Sequence, residues 1–232
     1  MSADFAALAA RALELVPDGA RIGLGSGRTA TAFTRALAER VRQGLRIRAV
    51  PTSEATAQLA RELGIPLDTL DAAEPLELTL DGADEVERTT LNLIKGWGAA
   101  LTRERIVAAA SRRQVILVTA EKLVDRLGQR GRLPVEVVPF AAPFCARQLE
   151  RLAVPGGLRP SLRRRPDGPP LVTDNGNWIL DCALGPQADP AGLERAIDAI
   201  PGVVDCGLFL GTAALVLVAE AGAVRELRRA GG

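Results

Sequence analysis

The order of apolar and polar positions divides the first half of the chain into a regular alternation. Apolar residues recur at helical spacing over 3–16, with Phe5, Leu8, Ala12 and Leu15 on one face, and Pro17-Asp18-Gly19 ends the run. The short apolar segment Arg21-Ile22-Gly23-Leu24 predicts a buried strand, followed by the turn Gly25-Ser26-Gly27-Arg28-Thr29 and a helix over 29–41. A second strand is expected over 45–50. Pro51-Thr52-Ser53-Glu54 then opens another helix, with Ser53 as its N-cap and Gly64 closing it. Strands over 67–70 and 76–80, a helix over 102–110 and a strand over 114–118 complete the alternation. Strands alternating with helices predict a parallel α/β sheet with right-handed crossovers. Ligands bind such sheets beyond the carboxyl ends of the strands. Residues 25–29, Thr52 and Ser53, 81–84, and Glu121 with Lys122 all follow strand ends and are expected to converge on one edge.

From about residue 131 the texture changes. Strands are expected over 134–138, 158–162, 171–173, 178–181, 203–210 and 213–219, with helices over 143–152 and 191–199 and turns at 166–170 and 174–177. This pattern predicts a smaller α+β module with hairpins.

Composition narrows the function. With 232 residues and a net charge of +1, the chain has ample length for a core and no charge imbalance pointing to nucleic acid or a membrane surface. The basic run Arg163-Arg164-Arg165 precedes Pro166-Asp167-Gly168-Pro169-Pro170 and reads as a solvated loop. Cys145, Cys182 and Cys206 are odd in number and far apart, which argues against a disulfide framework or a CxxC metal site. No signal peptide and no membrane-length apolar run is visible, so a cytoplasmic enzyme or binding protein is expected. Histidine and tyrosine are absent. Proton transfer near neutral pH then falls to a carboxylate, a lysine or a thiol, and no catalytic metal is expected.

Candidate chemistry concentrates between residues 81 and 104. Of 29 basic residues only Lys95 and Lys122 are lysines. Lysine is a compact ammonium on a flexible stem where arginine is a rigid fork, so its rarity marks places where the fork does not fit. Asp81 and Asp84 flank Gly82-Ala83 just past a strand; they suit a shared acid–base site or, equally, an Asx-turn with a helix cap. In Lys95-Gly96-Trp97-Gly98, small residues let backbone approach a ligand, and an ammonium beside backbone N–H groups stabilises a developing oxyanion. Glu104 falls in the first turn of a helix, where an acid also serves the dipole. Glu85 and Glu87 are expected to be solvated. The turn at 23–27 makes an anion cradle with Ser26 and Thr29 as hydroxyl donors, or simply a tight strand–helix turn. A dinucleotide site would need an acid at the end of the second strand, which reads Arg48-Ala49-Val50-Pro51-Thr52.

Taken together these residues resemble ribose-5-phosphate isomerase type A. The matching segments are Gly-Leu-Gly-Ser-Gly-Arg-Thr-Ala at 23–30, Leu-Asp-Gly-Ala-Asp-Glu at 80–85 and Lys-Gly-Trp-Gly-Ala-Ala-Leu-Thr-Arg-Glu at 95–104. Leu-Pro-Val-Glu-Val at 133–137, Val-Thr-Asp-Asn-Gly-Asn at 172–177 and Ala-Ile-Pro-Gly-Val-Val at 199–204 extend the match over nearly the whole chain. The resemblance implies a Rossmann-like parallel-sheet large domain, over 1–130 and 206–232, with a smaller inserted α+β domain over 131–205. It implies a cofactor-free enzyme of the pentose phosphate pathway acting on a small phosphosugar, assembled as a homo-oligomer, dimer or tetramer. Glu104 matches the family's proton acceptor, Asp81 and Asp84 its substrate-binding aspartates, Lys95 the lysine of the glycine loop and Lys122 the substrate-binding lysine after the next strand. Catalytic roles are therefore expected for Glu104, Asp81, Asp84 and Lys95. Substrate contacts are expected from Ser26, Gly27, Arg28, Thr29, Gly82, Ala83, Gly96, Trp97, Gly98 and Lys122 as well as from Asp81, Asp84 and Lys95. The family usually carries glycine at the position of Trp97 and a small hydroxyl residue at Arg28. Trp97 is expected to point outward or to narrow the pocket, and Arg28 to touch phosphate or face solvent. Two other readings are a phosphosugar-sensing effector module on a similar fold, for which no basic recognition helix is visible, and a nucleotide-dependent oxidoreductase, which lacks the ribose-binding acid.

Overall fold

The structure, a computed structural model, describes residues 2–71 and 74–229. In chain order the elements are α1 (Ala3–Leu13), β1 (Ala20–Leu24), α2 (Arg28–Arg42), β2 (Ile47–Pro51), α3 (Glu54–Glu62), β3 (Leu78–Asp81), β4 (Glu85–Glu87), β5 (Leu93–Ile94) and α4 (Leu101–Ala109). There follow β6 (Gln114–Thr119), a 3₁₀ turn (Ala120–Lys122), β7 (Leu123–Val124), β8 (Arg132–Val137), α5 (Ala142–Glu150), β9 (Arg159–Leu162) and β10 (Trp178–Ala183). The chain closes with α6 (Pro190–Asp198), β11 (Val203–Cys206), β12 (Leu208–Phe209), β13 (Ala213–Glu220) and β14 (Ala223–Arg228). It divides into two compact units: Met1–Ala83, Arg103–Leu123 and Gly211–Gly232 form one, Asp84–Thr102 and Val124–Leu210 the other.

The first unit is built on a six-stranded sheet in the order β14-β13-β6-β3-β1-β2. All neighbours are parallel except the edge pair β13–β14. Its strands are nearly continuous apolar runs because, in such a sheet, helices cover both faces and leave no side for water. Ile22, Leu24, Leu78, Leu80, Val115, Leu117 and Leu217 pack with Leu8, Phe33 and Leu37 of α1 and α2. Each large side chain so buried contributes about 1.5–3 kcal/mol. The register sets Leu24 beside Leu80, so the turn leaving β1 starts next to Asp81 at the end of β3.

The second unit is an antiparallel sheet, β11-β8-β10-β9, whose core joins Leu133, Val135, Val137, Leu180 and Cys206 to Cys145, Leu149 and Ile197 of α5 and α6. Burial pushes the Cys182 thiol up to about 12 and raises that of Cys145, so both are inert core residues. A small sheet, β12-β5-β4-β7, carries the glycine loop that leaves β5.

The α/β alternation and the α+β character of the later segment stand as expected from the sequence. Three expected strands differ. Residues 67–70 make only a bridge from Leu67 to Ala49, because Asp68 and Thr69 turn the chain and Arg21 binds the Asp68 carboxylate (2.7 Å) and the Thr69 carbonyl (2.9 Å). Residues 171–173 form a bridge between Val172 and Trp178 and no longer strand. The expected strand over 203–210 breaks at Gly207, whose N–H bonds to the Pro134 carbonyl while its own carbonyl accepts from Lys95, so that β11 and β12 enter different sheets.

Candidate active site

In the first unit the site is built on the turn leaving β1. A Cβ at Gly25 would lie 2.2 Å from Asp81 Oδ1, so only glycine lets the backbone rest on that carboxylate. Asp81 is 1% exposed, and its Oδ1 accepts the N–H groups of Ser26 (3.0 Å) and Gly82 (2.7 Å). Hydrogen bonds of this kind to a charged group contribute about 1.5–3 kcal/mol each. Gly27 caps α2 at φ 88°, a conformation that favours glycine, and makes no side-chain capping bond to the helix start. The first N–H groups of α2 and its positive dipole end therefore face outward, which suits an anion.

Hydroxyls hold this turn from behind. Ser26 Oγ donates to Ser53 Oγ (2.9 Å), Ser53 Oγ to Thr56 Oγ1 (3.0 Å), and Thr56 Oγ1 back to the Gly25 carbonyl (3.1 Å). Thr52 Oγ1 lies 2.8 Å from Ser26 Oγ, and Thr29 Oγ1 donates to the Leu117 carbonyl (2.8 Å). The structure thus gathers Ser26, Gly27, Thr29, Asp81 and Gly82, with Ala83 half-buried beyond them. Arg28 turns aside, its guanidinium 5.2 Å from the centre of the Phe5 ring. Glu104 is 6% exposed in the first turn of α4, and Lys122 is half-buried at the end of the 3₁₀ turn after β6.

In the second unit, Asp84, Lys95, Gly96, Trp97 and Gly98 come together. The Asp84 N–H bonds to the Ile94 carbonyl (2.8 Å), and Asp84 Oδ2 accepts the Trp97 N–H at 2.9 Å. Lys95 is 2% exposed, and its ammonium lies 5.7 Å from the centre of the Phe209 ring, a cation–π distance. Gly96 sits at φ 99°, and a Cβ there would lie 2.7 Å from Leu101 Cδ2. Trp97 is held by its own side chain: Nε1 donates to the Arg132 carbonyl (3.2 Å), and the guanidiniums of Arg132 and Arg130 lie 4.7 and 5.5 Å from the ring centre.

Three sequence expectations need correction. Glu85 is fully buried, not solvated: β4 is covered on both faces, and the carboxylate accepts the N–H groups of Gly128 and Arg130, both at 2.7 Å. Burial raises its pKa. Glu87, in the same strand, is 8% exposed and accepts from the Thr90 hydroxyl. Arg163 is not part of a solvated loop; its side chain is 10% exposed and ion-paired with Asp181, whereas Arg164 and Arg165 are exposed as expected.

One polar centre has no signature in local charge or glycine pattern. Glu136, 0% exposed in β8, accepts from Thr102 (2.7 Å), Thr173 (2.9 Å), Asn175 (3.2 Å) and Asn177 (2.9 Å). A lone glutamate in an apolar strand was the available signal, since buried carboxylates need such partners. Among the described residues, no group of three or more His, Cys, Asp or Glu side chains is placed to hold a metal ion, and no helix is long and apolar enough to cross a membrane.

A parallel α/β sheet with a glycine turn at a strand end, leading into a helix start suited to an anion, defines an α/β protein of the doubly wound class with a candidate anion site. Over residues 48–222 the chain matches the family model of ribose 5-phosphate isomerase A (phosphoriboisomerase A). It is 53% identical over 219 residues to the ribose-5-phosphate isomerase A of Gloeobacter violaceus, a match covering 94% of this chain and 93% of that one. Among solved structures it is similar to ribose 5-phosphate isomerase A of Methanocaldococcus jannaschii, with TM-score 0.90 and 40% identity, covering 97% of this chain and 98% of the other. A D-ribose-5-phosphate isomerase solved in complex with phospho-erythronic acid has TM-score 0.91 and 37% identity, covering 97% of each chain. The chain belongs to the ribose 5-phosphate isomerase A family.

Proposed function

We propose that this chain interconverts D-ribose 5-phosphate and D-ribulose 5-phosphate through an enediolate, in the non-oxidative branch of the pentose phosphate pathway. Family membership supports the reaction. The observation that carries the mechanism is Glu104, a carboxylate buried in the first turn of α4 at the position the family gives to its proton acceptor. Glu104 takes the proton from C2 of the open aldose, and the electron pair moves through C1 onto the carbonyl oxygen. The same carboxyl then returns the proton to C1 as the C2 carbonyl forms. No electrons are gained or lost overall, so no cofactor is required. Asp81 assists ring opening and moves a proton between the two sugar oxygens. Lys95 and nearby N–H groups hold the negative charge of the enediolate, while Asp84 orients the loop through Trp97. The phosphate sits at the Ser26-Gly27-Arg28-Thr29 turn against the start of α2, with Lys122 as a further contact.

The partner is a small phosphosugar rather than nucleic acid or a membrane, and the protein acts in the cytoplasm. A homo-oligomer, dimer or tetramer, is supported by Phe140, 96% exposed, near Phe144 and Val138 in sequence, an apolar surface suited to a second copy. Incubation with ribose 5-phosphate alone, followed by ketose detection, tests the function. Ketose formation without added nucleotide is expected. Binding without turnover would point to a sensing module, and a nicotinamide requirement to an oxidoreductase.

A further inference from the structure

The 95–98 loop is held by a residue that neither the charge pattern nor the family resemblance singles out. Arg163 Nη1 donates to two consecutive carbonyls, Gly96 O and Trp97 O, both at 3.1 Å. Arg163 is itself rooted. Its Nε and Nη2 grip both oxygens of Asp181, its N–H bonds to the Ile179 carbonyl (2.8 Å), and its carbonyl accepts from Leu171 (3.0 Å). Both side chains are largely buried, at 10% and 14% exposure.

In a planar trans peptide the C=O and N–H of one unit point in opposite directions. Two carbonyls directed at one guanidinium nitrogen therefore turn the N–H groups of Trp97 and Gly98 to the opposite face of the loop. The Trp97 N–H confirms that direction, because it ends on Asp84 Oδ2. The Gly98 N–H is turned to that same face, and Gly98 is exposed there. The indole of Trp97, anchored by its Nε1 on the Arg132 carbonyl and by the guanidiniums of Arg130 and Arg132 over its ring, resists rotation of the same peptide units.

We propose that Arg163 is a positioning residue for the isomerisation: by holding the Gly96 and Trp97 carbonyls it aims the Gly98 N–H at the enediolate oxygen and keeps Asp84 in place. This rests on the reading that the 95–98 loop faces the enediolate. A lysine at 163 keeps the charge but has no fork with which to hold Asp181 and two carbonyls together.

The test compares the unmutated protein with Arg163→Lys, using two inhibitors: phospho-erythronic acid, whose carboxylate stands for the enediolate oxygens, and inorganic phosphate, which probes the phosphate cradle alone. Expected for the variant are a kcat lower by about 10- to 100-fold, a KM within about threefold, and phospho-erythronic acid inhibition weakened by about tenfold or more, with phosphate inhibition and Tm little changed. Unchanged kcat, or equal weakening of both inhibitors, would overturn the proposal and mark Arg163 as structural. If Arg163→Lys does not fold, Asp181→Asn replaces it. That variant keeps the guanidinium but loosens its anchor, and a smaller kcat loss with the same inhibitor split is expected; any other pattern overturns the proposal. Absence of isomerase activity in the unmutated chain would instead remove the underlying functional reading.

Discussion

The glycine-containing loops that leave β1 and β5 are held in different ways. Each has one backbone N–H on an aspartate, Ser26 on Asp81 and Trp97 on Asp84, but the 25–29 turn of the first unit is otherwise fixed by close contact of Gly25 with Asp81 and by neutral hydroxyls, Ser26, Ser53 and Thr56, relayed back to the Gly25 carbonyl. The 95–98 loop of the second unit is fixed by charge: Arg163 on two carbonyls, Asp84 on one N–H, and two guanidiniums over one indole. The difference follows from what each loop is proposed to hold. A phosphate dianion is present throughout the reaction, and hydroxyls stiffen its cradle without altering the positive potential at the start of α2. An enediolate exists only transiently, and donors pre-aimed by ionic anchors stabilise it without reorganising as charge develops.

The comparison can be broken or sharpened in order of expected effect. Glu104→Gln removes the proposed base common to both loops' purpose. Turnover should fall by roughly two to four powers of ten with substrate KM largely kept, and near-normal turnover in steady-state assays would sink the mechanism. Lys95→Arg preserves charge in the loop but replaces a compact ammonium by a wider fork in a side chain that is 2% exposed. A kcat loss of about 10- to 100-fold is expected, while wild-type kinetics would show that charge alone suffices there.

Thr56→Val breaks the hydroxyl relay behind the phosphate turn. It should raise KM for ribose 5-phosphate by about threefold to tenfold, leave kcat nearly intact and cost about 1–3 kcal/mol of stability in denaturant titration. A kcat effect as large as that of Lys95→Arg would erase the distinction between the loops. The smallest effect concerns pH. Burial raises the pKa of Glu85, next to Asp84, above its unfolded value. Its contribution to stability is therefore full below the unfolded value of about 4.3 and is lost as pH rises through the folded value. The Tm of the wild type should fall relative to Glu85→Gln by about one to three degrees as pH rises across that window. A flat difference would show that the two N–H donors offset the burial.

The signals that were legible in the sequence are local ones. Ser53 reads as the N-cap of α3 from its place before the helix, and its Oγ accepts the Thr56 N–H at 3.1 Å. The strand–turn–helix at 21–41 and the placement of Asp81 at a strand end likewise depend on residues within about one turn or one strand of each other. The ordered motifs, from the glycine turn to Glu104, suffice by themselves to indicate the family. Burial of charge was not legible. Glu85 and Arg163 look like surface residues because their own neighbours are polar, yet both are enclosed by partners remote in the chain.

Periodicity, caps and turn chemistry are short-range physics, and the amino-acid order alone settles them here: the α/β alternation, the glycine turn between β1 and α2 and the cap of α3. The fate of an ionised side chain is decided by whatever the fold brings to it. For Arg163 that means Asp181 eighteen residues away and Gly96 sixty-seven away. Only the folded chain brings Arg130 and Arg132 to the Trp97 ring, because a buried charge is stable only when distant segments supply its partners together.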